Sequence, residues 1–255
     1  MKSSYRIPVA AILLVPALGL APAPATAQAP KRKLEGEVSG NAFFGNTRQL
    51  IASVRAEHER LDSAYAFRVL SRLNYGQTTT DATGTFVSKR SWIIGSNYDW
   101  RPFADFAPFV RASMESSYEN RIARRYSGGV GTRMNVVRKA ATDVIFSLGA
   151  NGERTEALPP GDSAGAVTLA RGISSLRLRR ELSSRVALTS ETAYEPALTE
   201  GGDFTIQSVN ALKVRLARFA ALSFSVRDNY DSRSVARGAR TNNDVELLMG
   251  ILTTF

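Results

Sequence analysis

Apolar and polar residues alternate one for one along most of the chain. Leu34, Gly36, Val38, Gly40, Ala42 and Phe44 share one side of a first segment, with Glu35, Glu37, Ser39 and Asn41 between them. The second segment sets Leu50, Ala52, Val54 and Ala56 against Ser53 and Arg55. A period of two marks a strand, because successive side chains leave opposite faces of a pleated backbone. Ten more such segments follow, at 65–75, 92–100, 106–118, 126–136, 144–152, 170–178, 186–194, 206–216, 220–226 and 245–255. Clusters of Gly, Pro, Asp, Ser and Arg separate them, as turns require.

The outward faces are more informative than the period. Counted from the first residue of each segment, they hold 65 positions and no charge, where the chain's 22% charge would put about 14. The 53 interleaved positions hold 15 charged residues. A soluble two-sheet sandwich also alternates, with its apolar face against a second sheet. Three features point instead to a closed barrel with lipid outside. Connections alternate between short (59–64, 101–105, 138–143, 180–185, 217–219) and longer (76–91, 153–169, 195–205, 227–244), with 45–49 a short exception. Short turns at one end and long loops at the other are the outer-membrane pattern. Aromatic residues recur near outward strand ends, with Trp92, Trp100, Tyr118 and Tyr126 the chief candidates for belts at the two interfaces. Finally, Phe255 ends an outward run of Leu247, Met249 and Ile251, the pattern expected of a terminal signal read by outer-membrane assembly machinery. The expected fold is all-β: a twelve-stranded antiparallel up-and-down transmembrane β-barrel over 34–255.

Composition narrows the chemistry. The 255 residues include no cysteine and one histidine, His58, which excludes disulfides, thiol nucleophiles and multi-histidine metal centres. No cofactor is expected. Residues 1–27 carry Lys2 and Arg6, then an apolar run from Ile7 to Ala21, then Ala25-Thr26-Ala27, and read as a cleaved secretory signal. Pro8, Pro16, Pro22 and Pro24 argue against a membrane anchor. Residues 28–33 are expected as a short periplasmic segment before the barrel. The expected location is the outer membrane of a Gram-negative bacterium.

Local motifs carry a family resemblance. Gly45-Asn46-Thr47 follows the first strand, Tyr98-Asp99-Trp100 precedes a short turn, and Phe109-Val110-Arg111-Ala112 leads to Tyr118-Glu119-Asn120-Arg121. The Gly-rich run Gly128-Gly129-Val130-Gly131-Thr132 comes next. In these features the chain resembles the YdiY-like family of salt-induced outer-membrane proteins, a domain of unknown function. The resemblance implies an outer-membrane barrel and brings no catalytic residues with it.

The remaining candidates concern the interior. Arg55, Arg68, Arg72, Arg111, Arg133, Arg171, Arg177, Lys213 and Arg215 face inward with Glu35, Glu37, Asp99, Glu115, Glu191 and Glu246. Their small basic excess allows a weakly anion-preferring pore for small solutes or ions, or a lumen cross-linked by ion pairs. Twelve strands stand between barrels filled by side chains and wide channels. His58 could serve as the base of an outer-membrane lipid hydrolase, but Arg60 stands where those enzymes place a serine, so an interfacial role is favoured. Gly128–Gly131 lacks the βαβ context of a dinucleotide loop. Arg121, Arg124, Arg125, Arg233, Arg237 and Arg240 are expected in outer loops, where lipopolysaccharide phosphates are better partners than nucleic acid. The expected function is that of a structural or narrow-pore outer-membrane protein without catalysis. A lipid hydrolase and a soluble periplasmic β-sandwich binding a ligand are the alternatives.

Overall fold

The computed structural model describes residues 31–43, 47–80, 84–158 and 166–254. Twelve strands run in chain order: β1 (Lys31–Phe43), β2 (Thr47–Leu61), β3 (Tyr65–Thr80), β4 (Gly84–Trp100), β5 (Phe106–Ser117) and β6 (Ile122–Lys139), then β7 (Thr142–Ala157), β8 (Ala166–Glu181), β9 (Val186–Pro196), β10 (Phe204–Arg215), β11 (Ala220–Asp231) and β12 (Asn243–Thr254). Each pairs antiparallel with its sequence neighbours, and β1 closes on β12 from Glu35↔Thr254 to Gly40↔Met249. Closure leaves no open sheet edge and removes the sandwich alternative.

The expected faces are the faces seen. Val38, Leu73, Val110, Val130, Met249 and Ile251 are more than half exposed on the outside of the sheet. Ser53, Ser223, Ser225 and Arg171 are buried on the inside. Apolar outward side chains sit directly opposite one another across the strands, as at Val38↔Val54, Val110↔Val130 and Phe224↔Met249. Such pairs support the sheet. Outward charges lie near the strand ends, as at Arg60, Arg124, Arg154, Glu156 and Arg180, so the middle of the wall is an uncharged band.

Two glycines of β6 serve close packing rather than phosphate binding. A side chain on Gly131 would meet the Leu148 carbonyl and lie 2.6 Å from the ring of Phe109 on β5. One on Gly129 would lie 3.2 Å from Ile173 of β8. The missing side chains make room for these two inward apolar groups, which are both buried.

Two expected long connections are mostly strand. The stretch 76–91 reduces to a connection at 81–83, and 153–169 to one at 158–165. The run Thr78-Thr79-Thr80 pairs with Gly84-Thr85-Phe86, with the Thr79 and Thr85 hydroxyls 2.8 Å apart. Beyond the apolar band the outward positions turn polar as well, as at Gln77, Thr79, Arg154 and Glu156, so the alternation is lost. The barrel also starts at Lys31 rather than Leu34. The signal region, the Gly45-Asn46 turn and Phe255 lie outside the described residues.

Candidate functional site

The barrel has a turn end, bearing the short connections and both ends of the described chain, and a loop end. Inward side chains form three levels between them. At the loop end, cations reach across the interior. Lys89 on β4 lies 2.5 Å from both Asp244 and Glu246 on β12, and 3.5 Å from Glu119. Arg125 on β6 contacts Glu115 of β5 at 2.9 Å, Glu153 of β7 at 3.5 Å and Asp231 of β11 at 2.8 Å. Arg111 on β5 meets Glu195 on β9 at 2.6 Å. Strands so far apart in the ring can touch only through the lumen. Arg171, 1% exposed, joins Glu153 at 3.1 Å and Asp203 at 3.0 Å, and donates to the Glu195 carbonyl.

The loop after β11 folds over this level. A single 3-10 turn, Val235–Arg237, ends at Gly238 in the left-handed region (φ 91°), where glycine is unstrained. Arg237 binds Asp231 at 2.6 Å and donates to the Asn120 carbonyl at 3.1 Å. Ser234, wholly buried, donates to the Asn120 side chain at 3.3 Å. Arg233 pairs with Glu200 and, at 3.2 Å, with Asp203. The expected basic cluster is therefore corrected. Arg124 and Arg125 belong to β6, and Arg125, Arg233 and Arg237 hold carboxylates of the barrel itself; Arg124 and Arg240 are exposed.

At the waist, Arg227 is 4% exposed, 3.8 Å from Glu246, and donates weakly to Ser53 at 3.4 Å. Arg72 has no carboxylate within ion-pair distance among the described residues, and its Nε is buried without a hydrogen-bond partner. At the turn end, Arg68 pairs with Glu57 at 3.2 Å and Glu59 at 2.9 Å, and Arg55 with Glu57 and Glu37. Arg133 pairs with Asp99, and Lys213 lies 3.9 Å from Glu35. Arg177 grips Glu191 through two hydrogen bonds of 3.0 and 2.9 Å. The Glu191 side chain is nonetheless 48% exposed, so the space inside this end admits water. Arg215, at the end of β10, is exposed.

Sequence reading missed Lys89, Arg125 and Arg227, and with them Glu57, Glu59, Glu153, Glu195, Asp231 and Asp244. Each continues the inward parity of a segment ended too early. Together they cancel the small basic excess of the shorter segments. Trp92, Trp100, Tyr118 and Tyr126 lie on the outward face, the last three more than a third exposed. Tyr65 stacks on Tyr98 near the turn end, and Phe204 on Tyr230 near the loop end. His58 is outward and exposed, opposite Leu34 and Val69, with no hydrogen-bonded serine among the described residues. No group of metal-ligating side chains occurs among the described residues.

Among solved structures, the chain is similar to an outer membrane channel from Pseudomonas putida F1, with a TM-score of 0.51 and 9% identity over 91% of this chain and 96% of that one. It is also similar to the NanC porin (TM-score 0.49, 8% identity, 87% and 98% covered) and to the KdgM porin solved with disordered oligogalacturonate (0.47, 10%, 87% and 99%). At such identities the likeness is one of fold. No curated protein matches the chain. A family model described as a protein of unknown function, DUF481, matches residues 36–255.

Proposed function

The chain belongs to the DUF481 family, whose function is unknown, and we propose from the barrel's own interior that it is a narrow-pore protein of the outer membrane without a catalytic step. The uncharged outward band sits in hydrocarbon, with the turn end in the periplasm and the loop end outside. The outward aromatics form the two interfacial belts, and lipid and lipopolysaccharide are the surrounding partners. Export through a cleaved signal and insertion by the assembly machinery acting on Phe255 complete this reading.

One observation carries the pore assignment: cross-lumen ion pairs constrict the loop end while water reaches Glu191 at the turn end. A mesh of paired charges passes small ions slowly and excludes larger solutes. Because inward charges nearly balance, selectivity is weak, and any anion preference arises at the waist rather than from the lumen as a whole. His58 offers no support for lipid hydrolysis, since no serine hydroxyl is hydrogen-bonded to it among the described residues.

Planar-bilayer recording tests this reading. Wild-type protein should give small, weakly selective conductance. Arg237→Ala, which frees the loop over the mouth, should raise it several-fold. A wide-channel conductance in the wild type, or strong cation selectivity, would overturn the assignment.

A further inference from the structure

At the waist, donors are left over. Arg72 on β3 stands directly opposite Arg55 on β2, and like charges in that position repel. The charges acting on it are Arg227 and Arg55, against Glu246 and Glu37. Both carboxylates are already engaged: Glu246 holds Lys89 at 2.5 Å, and Glu37 lies 3.8 Å from Arg55. The Nε groups of Arg72 and Arg227 are buried and have no acceptor. An unsatisfied charged donor in such a place costs free energy that an acceptor would recover.

Next to these groups is a cavity of about 100 Å³, lined also by Asn74, Ser91, Gln207 and Asn229. Its carboxylates Glu115, Glu119, Asp231, Asp244 and Glu246 are tied to Arg125, Arg237 and Lys89. Two acceptors in the cavity wall are idle as well, Glu246 Oε2 and the amide oxygen of Asn74. Asn74 donates through Nδ2 to Ser91 at 3.0 Å, and its Oδ1 is buried without a partner. Two orphaned guanidinium edges, one orphaned amide oxygen and one orphaned carboxylate oxygen call for a ligand with anionic oxygens and a hydroxyl to donate.

We propose that the waist of the barrel is a binding site for a small hydroxylated oxyanion, of which hydrogen phosphate is the simplest, held by Arg72 and Arg227 with Asn74 accepting its hydroxyl. The guanidinium fork matches oxyanion geometry, and an arginine without a carboxylate is free to offer it. Sulfate has the same shape and no hydroxyl, so it binds less well. This site deepens the pore reading, because a fixed oxyanion site inside the lumen bears on which solutes pass.

Binding is measured on the full chain folded in detergent, titrated with inorganic phosphate at constant ionic strength and followed by its unfolding midpoint. The midpoint should rise with phosphate, rise less with sulfate and stay unchanged with chloride. Arg72→Gln should weaken the apparent phosphate affinity at least about tenfold, equivalent to about 1.4 kcal/mol. Arg72→Lys, which keeps the charge and the fold but loses the fork, should retain an intermediate response. An equal phosphate response in wild type and both variants, or none in the wild type, would overturn the site. No ion flow is needed for this measurement. Phosphate binding without conductance would therefore sink the pore reading alone, and conductance without phosphate binding would sink the site alone.

Discussion

Val130 states at the scale of one residue what the outer wall is for. It is 58% exposed and lies between Val110 and Ala150 on neighbouring strands, far from the charged rims. In water, so exposed a position would accept arginine at little cost. In hydrocarbon, Val130→Arg should cost about 2–4 kcal/mol near the midplane. Folding into lipid vesicles, read from the fast-migrating unboiled species on a detergent gel, should fall accordingly; an unchanged folded yield would place Val130 outside the bilayer. The same residue-by-residue logic made the outward face legible, since every position there had only to avoid charge. Arg125 was not legible in the same way. Its parity marks it as inward, but its partner Asp231 is more than a hundred residues away, and no local pattern connects them.

The β6–β7 hairpin marks the limit of local reading at the scale of an element. Alternation placed both strands, and the glycines of β6, which lack the context of a dinucleotide loop, serve packing. That Phe109 fills the space over Gly131 depends on the register of β5 against β6, where Phe109 and Gly131 are direct partners. Gly131→Val would drive a branched side chain into the Leu148 carbonyl and that ring. Overpacking of this kind should cost about 1–3 kcal/mol. A lowered urea midpoint in vesicles checks it, and an unchanged midpoint would mean that the strands do not approach as closely as described. The β3–β4 hairpin illustrates the opposite failure. Its threonine-rich extensions were assigned to a loop because a strand polar on both faces has no apolar side to betray it.

For the whole molecule, the decisive feature is that the interior is held by charge rather than by a hydrophobic core. Lys89 answers Glu119, Asp244 and Glu246 at once. Lys89→Met should therefore destabilise the barrel by about 3–5 kcal/mol, because it strands buried carboxylates. Adding Glu246→Gln should return part of that loss, and additive losses in vesicle unfolding would show that the two residues act independently. The period of two, the outward faces bare of charge and the even strand count belong to the sequence alone, because each outward side chain has only to avoid charge and needs no partner to do so. Which inward charges meet, which carboxylates close the loop end and which arginine is left without one were decided only by closure. Bending the sheet until β1 met β12 brought together side chains from strands far apart in the ring, and interactions across a lumen leave no trace in local order.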